Sequence, residues 1–202
     1  MPVPFPDVTG ALIAGGHALR LGGRVKGLLE VEGEPLAARS LRLFGELFGA
    51  SLVVANDPAP WATVGAGRLV PVVPDLVPSK GAPGGLHAAL SAAATPWLFA
   101  AAGDMPFLSA EAIAFLCARR GPAPAVVPRW RGRFQPLHAL WSQAALPALE
   151  AALRAGDPSL QWLVREVGAA VVEEEEWSLV DPGGRSLENV NTPEDLARLG
   201  IG

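Results

Sequence analysis

The stretch Leu12-Ile13-Ala14-Gly15-Gly16-His17-Ala18-Leu19-Arg20-Leu21-Gly22-Gly23-Arg24-Val25-Lys26-Gly27 constrains this chain more than any other. Residues 8–14 read as a strand buried on both faces, as in a parallel sheet, and they run straight into paired glycines. Glycines let backbone N–H groups turn towards an anion with no Cβ in the way. Arg20 adds a flat donor fork and Lys26 a compact positive charge. A strand ending in such a loop is a place to hold a phosphate chain. The loop is neither the Walker A pattern, which needs Gly-Lys-Ser/Thr opening a helix, nor the dinucleotide fingerprint with its glycine spacing. On composition alone, a glycine-rich turn between two strands is the competing reading.

With 202 residues, 50% of them apolar, the chain suits one domain with a substantial core. A net charge of -4 gives no reason to expect a nucleic acid or an anionic membrane as partner, so any phosphate site must be a local positive patch. Residues 1–7 read as a flexible arm, without the basic start and long apolar core of a signal peptide. No apolar run reaches the ~18 residues of a membrane span. Cys117 stands alone, so no disulfide framework forms within the chain. A reducing, cytoplasmic setting fits these features. Lys26 and Lys80 are the only lysines, and both lie in glycine-rich loops.

Strands are expected at residues 8–14, 51–55, 68–73, 97–102, 125–128 and 137–141. Helices are expected from Pro35, over 85–94, over 110–120 behind a Ser109 cap, over 146–155 and 159–166, and after Thr192. The helix after Pro35 carries Leu36, Leu43 and Leu47 on its apolar side. Pro74 to Gly84 reads as a long loop, and Val171 to Glu176 as an extended piece ending in a solvated glutamate edge. Alternating strand and helix implies a single α/β domain: a Rossmann-like, doubly wound, mostly parallel sheet over residues 8–202. Ligands of such sheets bind at the carboxyl ends of the strands, which places the loops at Gly15, Asn56, Asp75 and Asp104 on one edge.

Asp104 follows the most apolar strand after one glycine. An isolated carboxylate there suits a Mg²⁺ ion that bridges protein and triphosphate, or an ordinary turn aspartate. Asn189 and Asn191 alternate on an extended stretch and share a face, offering oxygens to a metal or amides to a phosphate; the alternative is a plain helix start. Asp75 is a turn aspartate or a ligand contact. Arg129, Arg131 and Arg133 surround Trp130, as an exposed hairpin or as a clamp for an anion. His17, His87 and His138 have no ligand spacing, so no zinc site is read.

Four ordered motifs carry a resemblance: Leu12 to Gly27 with its Arg-Leu-Gly-Gly and Lys-Gly; Pro74-Asp75 with Gly81-Ala82-Pro83-Gly84-Gly85-Leu86; Ala102-Gly103-Asp104-Met105-Pro106; and Asn189-Val190-Asn191-Thr192-Pro193-Glu194. Together they resemble the signature of the molybdenum cofactor guanylyltransferases, nucleotidyltransferases of the nucleotide-diphospho-sugar transferase-like fold. Val25 stands where that family usually has Asp, and Gly81 to Gly85 where it more often has Gly-Pro-Leu-Ala-Gly. The resemblance implies transfer of GMP from GTP to the terminal phosphate of Mo-molybdopterin, with Mg²⁺ as cofactor. It implies Leu12, Ile13, Ala14, Gly15, Gly16, Lys26, Asn56, Asp75, Gly84, Gly85 and Asp104 at the nucleotide. It implies Arg20, Lys26 and Asp104 in catalysis, and Asp104 and Asn191 at the metal. Arg133, Gln135, Pro136 and Asn189 would face the acceptor. Residues 8–106 would form the nucleotide half and 107–202 the acceptor half. Molybdenum cofactor synthesis proteins and apo-molybdoenzymes would be further partners. A cytidylyltransferase, a sugar-phosphate nucleotidyltransferase or a non-catalytic GTP-binding module would share much of this pattern.

Overall fold

The structure, a computed structural model, describes residues 3–14, 20–21, 24–31, 33–61, 64, 70–156 and 158–199. In chain order these form β1 (Phe5–Ile13), β2 (Arg20–Leu21), β3 (Arg24–Val25), β4 (Glu30–Val31), β5 (Glu34–Pro35), α1 (Leu36–Leu47), β6 (Phe48–Val54) and β7 (Val72–Val73). Then follow α2 (Gly81–Ala92), β8 (Trp97–Ala102), α3 (Ala110–Cys117), β9 (Ala125–Trp130), β10 (Arg133–Phe134) and β11 (His138–Ser142). The chain closes with α4 (Leu146–Ala155), α5 (Leu160–Glu166), β12 (Ala170–Val172), α6 (Glu174–Trp177) and α7 (Pro193–Leu199).

β1 is the centre of the main sheet, parallel to β6 on one side and to β8 on the other. β7 extends the parallel set beyond β6. On the far side of β8, β11 runs antiparallel and pairs with β9, which β12 joins in parallel. Side chains alternate across these strands, and the alternation sorts them into two layers. Val8, Leu12, Val53, Phe99 and Leu140 enter one layer with Phe44 of α1, Leu116 of α3 and Trp177 of α6. Ala11, Ile13, Leu52, Val54, Ala100 and Trp141 enter the other with Leu86 and Leu90 of α2, Leu149 of α4 and Leu163 of α5. Two covered faces explain why β1 and β8 read as continuous apolar runs. The doubly wound, mostly parallel expectation holds.

Several local expectations change. β1 begins at Phe5, ahead of residue 8, because Phe5 pairs with Phe48 and Asp7 bonds Arg120 at 2.6 Å. Among the described residues the third strand is Val72–Val73; residues 68 and 69 of the expected range lie outside them. α2 starts at Gly81 rather than Gly85, so the glycines read as loop form its first turns. Pro83 is tolerated there because first-turn N–H groups have no intrahelical partner. α3 ends at Cys117, short of Arg120. On α1 the buried face is Leu36, Leu41, Phe44 and Leu47, with Leu43 half-buried. The glutamate stretch is not an extended solvated edge. Glu174–Trp177 is a short helix, and Glu176, Glu173 and Glu174 bond Arg119, Arg129 and the Arg131 N–H.

Candidate active site

Because β1, β6, β7 and β8 are parallel, the residues that follow them emerge on one edge. Asn56 follows β6, Asp75 follows β7 and Asp104 follows β8. The backbone ties this edge together: Ala14 N donates to Val54 O at 2.9 Å, and Gly103 N to Ile13 O at 2.9 Å. Leu12, Ile13 and Ala14 lie at the carboxyl end of β1 and are buried.

One group forms around Lys26. Its ammonium donates to Asn191 Oδ1 at 2.8 Å and meets Asp104 Oδ2 at 3.4 Å, although Asn191 lies 165 residues away in sequence. Lys26 and Asp104 are only 5% and 8% exposed. Burial raises the Asp104 carboxyl above the ordinary aspartate range, while the Lys26 charge pulls it back. The turn carrying Lys26 is pressed against Trp61 and the Gly103 carbonyl at Gly27. Val190 N donates to Asp104 O at 2.9 Å, and the Val190 side chain is buried with Leu29, Val31 and Leu36. Asn189 and Asn191 are exposed on either side of it, as the alternation expected.

A second group joins Asn56 and Asp75. Asn56 Nδ2 donates to Asp75 Oδ2 at 3.0 Å, and Asp75 N donates to Asn56 Oδ1 at 2.9 Å. Asp75 Oδ1 is buried and has no hydrogen-bond partner. It lies beside α2, 3.9 Å from where a Cβ on Gly85 would stand; that Cβ would also come within 2.7 Å of Ile13 Cγ2. Glycine is therefore needed at 85 for the helix to approach β1 this closely. Gly84 is buried one residue earlier.

The family model described as the MobA-like NTP transferase domain matches residues 10–173. The chain belongs to the MobA-like NTP transferase family. A relative in Chloroflexus aggregans, bearing the name probable molybdenum cofactor guanylyltransferase, is 35% identical over 97% of this chain and 94% of its own. The molybdenum cofactor guanylyltransferase of Pseudomonas paraeruginosa is 33% identical over 96% and 95%. The crystal structure of molybdopterin-guanine dinucleotide biosynthesis protein A from Archaeoglobus fulgidus superimposes with a TM-score of 0.78, at 25% identity, over 94% of this chain and 95% of that one. The nucleotidyltransferase fold expected from the sequence is thus shared with relatives of the MobA-like family along nearly the whole chain.

Within this MobA-like chain the structure joins Lys26 to Asp104 and Asn191, and Asn56 to Asp75. Gly15, Gly16 and the side chain of Arg20 lie outside the described residues. Arg133, Gln135 and Pro136 lie on the β10–β11 segment, where Gln135 Nε2 donates to Arg133 O and Trp141 Nε1 to Pro136 O, and the next residue, Leu137, accepts from Ala102 N at 3.0 Å at the carboxyl end of β8. Lys80 is drawn instead to Gly156 O at 3.0 Å. Asp195, in the first turn of the helix that Thr192 caps, has an Oδ2 that accepts from Asn191 N at 2.9 Å and Thr192 N at 3.0 Å, while Thr192 Oγ1 accepts from Asp195 N at 3.1 Å. Its spacing from Thr192 is a reciprocal capping signal that was open to view. No described helix is long and apolar enough to cross a membrane.

Proposed function

We propose that this chain transfers GMP from GTP to the terminal phosphate of Mo-molybdopterin. An acceptor phosphate oxygen attacks the α-phosphorus; that P–O bond forms as the α–β bridging P–O bond breaks, and pyrophosphate leaves with the electron pair. The acceptor oxygen is already anionic near neutral pH, so the work is positioning and charge stabilisation. The observation that carries the reading is the buried Lys26 ammonium held between Asp104 and Asn191 at the carboxyl edge of the sheet. Lys26 would face the triphosphate together with Arg20 and the Gly15 and Gly16 amides.

Two oxygens, Asp104 Oδ2 and Asn191 Oδ1, already converge on one cation, so the donor set suits Mg²⁺. Such an ion would take its other ligands from phosphate and water. When bound, that ion would neutralise triphosphate charge. The unpaired Asp75 Oδ1 could accept from the N1–H or N2–H₂ donors of guanine, which supports the base contact that the resemblance implies for Asp75. Arg133, Gln135, Pro136 and Asn189 would meet the acceptor.

The test is pyrophosphate release from GTP or CTP with Mo-molybdopterin supplied. GTP should support turnover, and Lys26→Ala and Asp104→Ala should each lower it about 100-fold or more. Preference for CTP would move the assignment to cytidylyl transfer. GTP binding without release would identify a non-catalytic module.

A further inference from the structure

Asp181 is 8% exposed, and its carboxylate gathers four donors. Oδ1 accepts from Arg185 N at 3.0 Å. Oδ2 accepts from Ser186 N at 3.0 Å, Ser186 Oγ at 2.8 Å and Trp177 Nε1 at 3.2 Å. Among the described residues it forms no ion pair. A buried carboxylate is costly to desolvate, and here neutral donors alone offset that cost. A turn that needed only closure could do so with one hydroxyl or amide. A full charge on four donors leaves it a single geometry.

That geometry leads directly to the site. The turn Arg185–Leu187 starts from Gly184, whose φ is +68°. A Cβ there would overlap the Trp130 ring, so the hairpin indole closes one side of the turn. Leu187 and Val190 are buried beyond it. Val190 N then bonds Asp104 O at 2.9 Å, and Asn191 Oδ1 accepts from Lys26 at 2.8 Å. Asp195 holds the Asn191 and Thr192 N–H groups from the other end.

We infer that Asp181 is a positioning residue: by holding Arg185–Leu187 in one arrangement it sets where Asn191 Oδ1 stands against Lys26 and Asp104. This rests on the nucleotidyl-transfer reading above. Asp181→Asn keeps the shape and one acceptor oxygen, but in either amide orientation it turns NH₂ towards at least one donor that the carboxylate now receives.

The experiment compares Asp181→Asn, Asn191→Ala and the double variant in GTP-dependent GMP transfer, each below its own melting temperature. Leu153→Ala, in the opposite core layer, is the control for general destabilisation. Asp181→Asn should lower kcat about 10-fold to 100-fold with KM for GTP nearly unchanged, since a misplacement of an ångström suffices. Amide exchange at residues 188–192 should accelerate while β1 and β8 stay protected. The double variant should be no slower than Asn191→Ala. Ser186→Ala, removing one donor, should show a weaker loss of the same kind and serves if Asp181→Asn does not fold. Wild-type kcat in Asp181→Asn and Ser186→Ala, losses that multiply with Asn191→Ala, or an equal loss in Leu153→Ala would overturn the inference while the site stands. Wild-type kcat in Asn191→Ala would overturn the site reading itself, and the inference with it.

Discussion

Lys26 is held at once by Asp104, which follows β8 at the carboxyl edge of the sheet, and by Asn191, which lies 165 residues further along the chain. Its isolation among arginines, and Asp104 at a strand end, were legible in the sequence; their contact was not, because it depends on a turn and two loops meeting. His138 shows the reverse case. Nothing in its spacing marked it, yet it is fully buried, set edge-on to Phe99 and Trp177, with neither ring nitrogen hydrogen-bonded. Burial lowers its pKa to about 4, against a smaller opposite pull from Asp181. The unfolded chain, with an ordinary histidine near 6.5, binds the proton more readily, so folded stability falls as pH drops from about 6.5 towards 4. The loss should approach ~3 kcal/mol by this linkage. Denaturant titrations followed by tryptophan fluorescence should show His138→Phe with a flatter acid limb; an unchanged limb would place the acid sensitivity elsewhere.

Among the elements, the strands and most helices follow from apolar period and caps. Ser109 and Ser159 accept the N–H of Ala112 and Trp162, as helix-capping serines do. The start of α2 was misread because Gly-Ala-Pro-Gly-Gly is loop-like by composition, while close approach to Ile13 overrides the propensity. The glutamates after Val172 were misread because their arginine partners lie far away in sequence. The β9–β10 hairpin carries a further consequence. Trp130 pairs with Arg133 across a two-residue turn, with φ of 48° at Arg131 and 73° at Gly132. Both central residues are left-handed, the pattern that favours Asn-Gly over Arg-Gly. Arg131→Asn should therefore stabilise the fold by about 0.5–1 kcal/mol, read as a higher denaturation midpoint with unchanged slope. A lower midpoint would mean that the Arg131 side chain contributes more than its backbone strain costs.

At the scale of the molecule, the two groups of polar side chains sit on one edge of a sheet packed on both faces, and a nucleotide that bridges them would bind only the folded state. At about 100 times its Kd, GTP should add roughly 2.7 kcal/mol. For a chain of this length that is a melting shift of about 5–10 °C. The shift should shrink in Asp104→Ala and be smaller with CTP; an equal shift for all nucleotides would remove base selection by Asp75. The sequence by itself determined the α/β class, the buried central strands and the carboxyl edge, because period and punctuation are local properties; Lys26, Asp75, Asp104 and Asn191 it offered as candidates that the resemblance singled out. Only the tertiary structure decided that Lys26 stands between Asp104 and Asn191, that Asp75 pairs with Asn56 and keeps one oxygen unpaired, that α2 begins among glycines, and that Asp181 holds the segment leading to Asn191. Each of these depends on contacts between distant segments, and burial, not local propensity, selects them.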